Sequence, residues 1–110
     1  MARNNKRKAD VFCHDRFVGI LEETDAGYRF TYDAAYLKSG KAISLSLPLR
    51  EEPFESTILF PFFAGLNPEG WYLDIVCATK KIDRADEFGI LLMTGESTIG
   101  AVTVRESGVK

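Results

Sequence analysis

The chain has 110 residues, of which 45% are hydrophobic, and this length fits one globular domain that buries roughly 65% of its unfolded surface. Its formal net charge of −2 argues against a general nucleic-acid binder, because such proteins gain affinity mainly from Lys and Arg on phosphates. Two cysteines and one histidine cannot supply the usual quartet of a structural zinc site, so we expect no metal and no cofactor.

Alternating and apolar segments near the N-terminus predict three strands. Residues 11, 13 and 15 alternate with residues 12, 14 and 16, and residues 17–21 are apolar. This pattern predicts two strands joined by a turn near residues 14–16. Ala26-Gly27 marks the next turn. Aromatic residues then repeat at every second position and predict a third strand with one aromatic face, made by Tyr28, Phe30 and Tyr32.

The middle of the chain predicts a short helix, a strand and a loop. Asp33 offers an N-cap for a helix over residues 34–38, and Gly40 can take the left-handed conformation of its C-cap. Residues 43–47 alternate apolar side chains with serines, which predicts a strand with one buried and one polar face. A charged loop with a proline follows over residues 50–56.

The second half predicts helices and a last strand. Residues 60–66 favour a short helix, and Asn67-Pro68 supplies an N-cap and a first-turn proline for a helix over residues 68–79. A third helix is expected to start near Asp83 and to end before Gly95. Residues 99–104 predict a final strand that returns to the sheet, so the expected fold class is α+β.

Three patterns suggest catalysis, and each has a simpler structural explanation. Residues 95–100 have the glycine spacing of a phosphate-binding loop, but Ala and Val follow where Lys and Ser or Thr are needed. Residues 86–89 (DEFG) match the kinase metal-binding triplet only with an extra residue inserted. Cys13 and His14 point to opposite faces of a strand, so only a fold that brings Cys77 against His14 would pair a thiol with a base. We therefore predict no catalytic residue.

Candidate partner-binding residues gather at the start of the predicted helix over residues 68–79. A turn of 100° per residue places Val76 and Cys77 on an apolar side and leaves Trp71 nearly opposite, beside Asp74. Tryptophan is enriched at binding hot spots, although Trp71 packed under residues 60–66 is the alternative. The predicted partner-binding residues are Asn67, Glu69, Trp71, Asp74 and Ile75.

Several segments resemble one known family. They are ISLSLPLR at residues 43–50, FPFFAGLNPEG at residues 60–70 and DEFGILLMTGESTIGAV at residues 86–102, together with VFCHDRFVGIL at residues 11–21. Over roughly residues 9–105 the chain resembles N-terminal subdomain 1 of HipA-type Ser/Thr kinase toxins, and it stops before any catalytic part. Such a subdomain standing alone is similar to HipS, the small antitoxin of the split, three-gene HipBST system.

The resemblance implies a fold and a function. The fold would be a small antiparallel, partly barrel-like sheet with three to four short helices. The protein would be a non-enzymatic antitoxin that binds and neutralises a HipA-family (HipT-like) kinase encoded nearby, with a helix-turn-helix HipB-like operon protein as the third member. It would contact neither nucleic acid directly nor membrane. The alternative is the N-terminal structural subdomain of a full-length HipA-type kinase, in truncated form.

Further expectations concern the ends of the chain and its location. We expect a disordered basic tail over residues 1–8, the domain over residues 9–106 and a second tail over residues 107–110. A nucleic-acid-binding barrel that uses residues 3–8 and surface aromatics is a third possibility, which the acidic body of the domain disfavours. No apolar run approaches the ~20 residues that cross a bilayer, and no signal peptide is evident, so we expect a cytoplasmic protein.

Overall fold

The computed structural model describes residues 7–67, 70–83, 85–94 and 102–106, and at positions 39, 71 and 72 it describes the backbone alone. The elements, in chain order, are β1 (Lys8–Cys13), β2 (Arg16–Thr24), β3 (Gly27–Tyr32), α1 (Ala34–Ser39), β4 (Phe54–Ser56), α2 (Pro61–Ala64), α3 (Gly70–Lys80), α4 (Glu87–Thr94) and β5 (Val102–Glu106). The predicted α+β class, with an antiparallel sheet and short helices, is confirmed.

The five strands form one open antiparallel sheet in the order β4-β3-β2-β1-β5. The first strand of the chain is therefore internal, with β2 on one side and β5 on the other. Ala9 of β1 stands opposite Leu21 of β2 and opposite Glu106 of β5. The edges of the sheet are β4 and β5.

A two-residue turn joins β1 to β2 at the place that the sequence predicts. Its residues, His14 and Asp15, both have positive φ values, 53° and 66°. A turn of this kind suits the twist of a hairpin, and Asp and His accept the left-handed region more readily than most residues. The turn pairs Phe12 with Phe17, and a one-residue shift of register between Val11 and Phe12 then pairs Lys8 with Glu22.

Helices α2 and α4 cover the aromatic face of β3. The ring of Phe30 lies 5.3 Å from that of Phe63 in α2, and the ring of Tyr28 lies 6.0 Å from that of Phe88 in α4. Phe30, Phe63 and Phe88 are fully buried. The predicted period-two aromatic strand is confirmed, and its face forms the centre of the core.

The segment at residues 43–47 is a tight turn and not the predicted strand. Ser44 and Leu47 form an isolated antiparallel bridge, and the Leu47 N–H donates to the Ser44 carbonyl at 3.0 Å. The Ser44 hydroxyl accepts from the Ser46 N–H at 3.2 Å. Serine side chains that bond to nearby backbone compete with sheet pairing, and here they favour the turn.

Other boundaries differ in smaller ways. Gly40 is extended at φ −89° and not left-handed, and its lack of a side chain matters because the Tyr36 ring lies 2.4 Å from where a Cβ would stand. The expected loop over residues 50–56 contains strand β4, which pairs with β3. Helix α3 begins at Gly70, and residues 68–69 and 99–101 lie outside the described residues.

The folded part of the chain begins earlier than residue 9. Lys8 opens β1, and the Glu23 N–H donates to the Arg7 carbonyl at 3.0 Å, which extends the hairpin by one residue. The Arg7 side chain also bonds to two carboxylates. Arg7 and Lys8 therefore belong to the domain and not to the basic tail, and residues 1–6 and 107–110 lie outside the described residues.

Candidate functional site

Helix α3 presents a polar and apolar outer surface, as its sequence predicts. Val76 and Cys77 are buried at 8% exposure each, whereas Asp74 and Ala78 are exposed and Ile75 is 48% exposed. The helix therefore faces the body of the domain through Val76 and Cys77. We call the side that carries positions 71, 74, 75 and 78 the α3 outer surface.

The predicted partner-binding residues do not all share one environment. Asp74 and Ile75 lie on the α3 outer surface, and position 71 lies one helical turn before them. The side chain of Trp71 and the whole of Glu69 lie outside the described residues. Asn67 is half-buried, and its Nδ2 donates to the Glu87 carbonyl at 3.1 Å.

Asn67 thereby fastens the connection between α2 and α3 to the first residue of α4. Its Oδ1 is buried and accepts no hydrogen bond from any described residue. The predicted N-cap, in which this oxygen accepts from the first turn of the next helix, is thus not formed with the described part of α3. The described contact of the Asn67 side chain is therefore with α4.

A second cluster, which we call the Arg7 clamp, consists of Arg7, Glu23 and Asp86. Arg7 Nε and Nη2 donate to the two Glu23 carboxylate oxygens at 3.0 and 2.9 Å. Arg7 Nη1 and Nη2 donate to the two Asp86 oxygens at 3.0 and 2.8 Å. The same guanidinium lies 5.3 Å from the centre of the Phe88 ring. One side chain therefore ties β1, β2 and the start of α4 together.

The clamp shifts the protonation equilibria of all three groups. Hydrogen bonds from Arg7 hold the pKa values of the Glu23 and Asp86 carboxyls below their ordinary values, although partial burial opposes this. Bonds to both carboxylates raise the pKa of the Arg7 guanidinium in turn. Charge-assisted, bidentate contacts of this kind are among the stronger hydrogen bonds in proteins.

The clamp also explains the DEFG pattern at residues 86–89. Asp86 caps α4, since its Oδ1 accepts from the Gly89 N–H at 3.1 Å, and both of its oxygens bond to Arg7. A Cβ at Gly89 would stand 2.2 Å from Asp86 Oδ2. Asp86 and Gly89 therefore build a helix start, and no described group of three or more His, Cys, Asp or Glu side chains could hold a metal ion.

An open cleft of about 630 Å³ lies beside the β1–β2 turn. Cys13 and His14 both line it, with the cationic side chains of Arg16 and Lys41. Cys77 is instead buried on α3, and both cysteines are free thiols. The glycine-rich pattern at residues 95–100 lies outside the described residues. No helix in the described part of the chain is long and apolar enough to cross a membrane.

The structure contains two features that the sequence patterns did not predict. The first is the Arg7 clamp: a turn at residues 14–15 alone would pair Arg7 with Glu22, and a shift of register between Val11 and Phe12 is what brings Arg7 beside Glu23. The other feature is Leu45, which is 102% exposed at the tip of the 43–47 turn. The serines on either side of Leu45 were the available signal, since they bond readily to nearby backbone.

Comparison with known proteins accounts for almost the whole chain. The family model of the HipA N-terminal domain matches residues 9–105. A solved structure described as the N-terminal domain of HipA toxin is similar with a TM-score of 0.77 and 37% identity, over 99% of this chain and 100% of that one. An uncharacterised protein of Haemophilus influenzae is 40% identical over 104 residues, which are 94% of this chain and 96% of that protein.

Longer relatives match over only part of their length. A Sinorhizobium fredii protein described as a candidate kinase is 30% identical over 99 residues, which are 87% of this chain and 24% of the relative. The fold also recurs in a Shewanella oneidensis structure of HipA and HipB with operator DNA, at 19% identity and a TM-score of 0.72, over 92% of this chain and 24% of that one. The chain thus spans about a quarter of these longer proteins.

Proposed function

Because the chain belongs to the HipA N-terminal domain family, we propose that it is the antitoxin of a split HipBST-type toxin–antitoxin system. In this role it binds a HipA-family serine/threonine kinase that lacks the domain and holds that kinase inactive. It acts in the cytoplasm and catalyses no reaction itself. A HipB-like operon protein with a helix-turn-helix completes the system.

One observation carries this proposal. The domain is 24% of a relative described as a candidate kinase. The Haemophilus influenzae relative, matched over 96% of its length, has little room for a kinase part. A domain that packs on a kinase within one chain keeps a complementary surface when it is encoded separately, so it can bind in trans.

We assign the kinase contact to the α3 outer surface and the residues that lead into it. Trp71 supplies a rigid aromatic group, and Glu69 and Asp74 supply carboxylates before and after it in the sequence. Ile75, next to Asp74 on α3, is half-exposed. A kinase cleft carries cationic phosphate-binding groups, so carboxylates complement it electrostatically. Asn67 precedes this surface in the chain and bonds to the Glu87 carbonyl of α4.

The substitution Trp71→Ala tests this assignment. We expect kinase binding to weaken by about 2 kcal/mol, roughly thirtyfold, while the fold stays intact, because aromatic contact residues dominate many interfaces. Binding is measured by calorimetric titration and stability by circular dichroism melts. If Trp71 is instead a core residue, the same substitution costs ~3 to 5 kcal/mol of stability.

Lys80→Ala serves as the matched control, since Lys80 is exposed at the far end of the same helix. It should bind and melt like the parent. A Trp71→Ala protein that also binds and melts like the parent would place the interface elsewhere. A parent that binds no HipA-type kinase would refute the antitoxin role.

The alternative is that the chain is the N-terminal subdomain of a full-length HipA-type kinase. The longer relatives, of which this domain is about a quarter, favour it. The reading frame in the genome decides between the two. A stop codon after Lys110 with a separate kinase gene alongside supports the antitoxin, and an open frame into a kinase supports the alternative.

A further inference from the structure

The 43–47 turn holds one aliphatic side chain entirely in water. Leu45 is 102% exposed, while Leu47, two residues later, is 2% exposed and belongs to the core. Single exposed leucines are ordinary on protein surfaces. Leu45 is unusual because several hydrogen bonds fix the backbone of the turn that carries it.

Two tyrosine hydroxyls form hydrogen bonds with the backbone of the turn and of the residues that lead into it. The Tyr32 hydroxyl accepts from the Ile43 N–H at 3.2 Å and donates to the Leu47 carbonyl, so it closes both ends of the turn. The Tyr36 hydroxyl donates to the Lys41 carbonyl at 2.7 Å and accepts from the Lys41 N–H at 3.3 Å. The two rings stack at 6.1 Å with an angle of 3° between their planes.

Two serine side chains within the turn also stabilise it. The Ser44 and Ser46 hydroxyls lie 3.0 Å apart, and the Ser44 hydroxyl accepts from the Ser46 N–H. Since Leu47 is anchored in the core, the backbone that carries Leu45 is fixed on both sides. Such a side chain binds a partner with little further loss of backbone entropy, which favours affinity.

We propose that the 43–47 turn is a second contact with the catalytic part of a HipA-type kinase, and that Leu45 enters an apolar pocket of that part. This inference rests on the proposed function and deepens it. The comparisons support this occupant, because about three quarters of the relative described as a candidate kinase lies outside this domain. The surfaces that face this remainder in one chain are left uncovered when the domain stands alone.

The experiment compares Leu45→Ser with Ile58→Ser in titrations against the HipA-type kinase that lacks this domain and is encoded in the same genome. Ile58 is the matched control, because it is 64% exposed and lies after β4. We expect Leu45→Ser to weaken binding at least about tenfold, or 1.4 kcal/mol, and to melt like the parent. Ile58→Ser should bind within about twofold of the parent.

The outcomes separate this inference from the function on which it rests. A parent that does not bind the kinase overturns both. A parent that binds, together with a Leu45→Ser protein that binds equally well, overturns the Leu45 contact and leaves the antitoxin role standing. Self-association of the parent that Leu45→Ser abolishes, seen by sedimentation in the absence of kinase, would assign the turn to a second copy of this chain instead.

Discussion

Arg7 shows how much of a small domain one side chain can organise. Its guanidinium bonds to Glu23 on β2 and to Asp86 at the start of α4, and its carbonyl extends the β1–β2 ladder. Composition alone places it in a basic tail and places Glu23 in solvent, because runs of charge are usually solvated. The predicted turn alone would have indicated Glu22, because the pairing with Glu23 depends on a shift of register between Val11 and Phe12. Nothing local indicated Asp86, which lies 79 positions away.

Removing the clamp should destabilise the domain. We expect Arg7→Ala to lower the free energy of unfolding by about 2 kcal/mol at pH 7, because two carboxylates lose a charged donor while partly buried. Lys8→Ala removes the same charge at the next, exposed position and should change stability by less than about 0.5 kcal/mol. Urea denaturation of the three proteins measures both effects. Equal stability of the two variants would show that the clamp contributes nothing specific.

The same clamp makes stability depend on acid. The pKa values of Glu23 and Asp86 are lowered in the folded state, so their contribution is present above the ordinary carboxyl range and is lost as pH falls through the folded values. We expect the stability difference between the parent and Arg7→Ala to shrink as pH is lowered from 6 to about 3. Urea denaturation of the parent and of Arg7→Ala at a series of pH values measures this difference. A difference that is constant over this range would contradict the assigned cause.

The 43–47 turn is a segment in which the observed structure differs from the one that the sequence pattern predicts. Alternation of apolar residues with serines is typical of a strand, yet contacts from Tyr32, eleven residues earlier, fold the segment back on itself. Helices α1 and α2 were predicted better, since the Asp33 cap and the proline at the start of α2 are local signals. Helix α4 begins at Glu87, later than the predicted start near Asp83. Strand β4 was missed because three residues are too few to carry a pattern.

Tyr32→Phe should release the turn while keeping the buried ring. Burial raises the pKa of the Tyr32 phenol, so at neutral pH the hydroxyl is protonated and can donate to Leu47. We expect its loss to cost ~1 to 2 kcal/mol and to speed hydrogen exchange at the Ile43 amide. Tyr36→Phe is the control, because it should speed exchange at the Lys41 amide instead. Unchanged exchange at Ile43 would mean that Tyr32 does not hold the turn.

For the whole molecule, sequence patterns indicated the class, the first hairpin and the aromatic core face, and the resemblance indicated the family. These succeed because period-two aromatics and turn residues act locally. The boundary at the N-terminus could not be predicted this way, since Arg7 and Lys8 are ordered by partners distant in the chain. The environment of Trp71 likewise depends on how α3 packs, which helix periodicity alone does not determine.

Truncation tests where the domain begins. A chain that starts at Arg7 should fold like the parent and, under the proposed function, bind kinase as the parent does. Residues 1–6 carry no apolar group beyond Met1 and Ala2 to offset the entropy of ordering. A chain that starts at Ala9 should be less stable by about 2 kcal/mol, since it lacks the clamp and the first pair of β1. Melting curves and titrations of both proteins give the answer. If the two truncations melt alike, the boundary lies at Ala9 after all.

The position of β1 between β2 and β5 also affects how the protein folds during its synthesis. Its partners in β5 lie about 90 to 100 positions further along the chain, so this pairing is among the slowest kinds of contact to form. At roughly 5 to 20 residues per second, a ribosome supplies β5 on the order of 5 to 20 s after β1. During that interval one side of β1 has open hydrogen-bonding groups, and the nascent chain is exposed to wrong strand pairing until β5 is available.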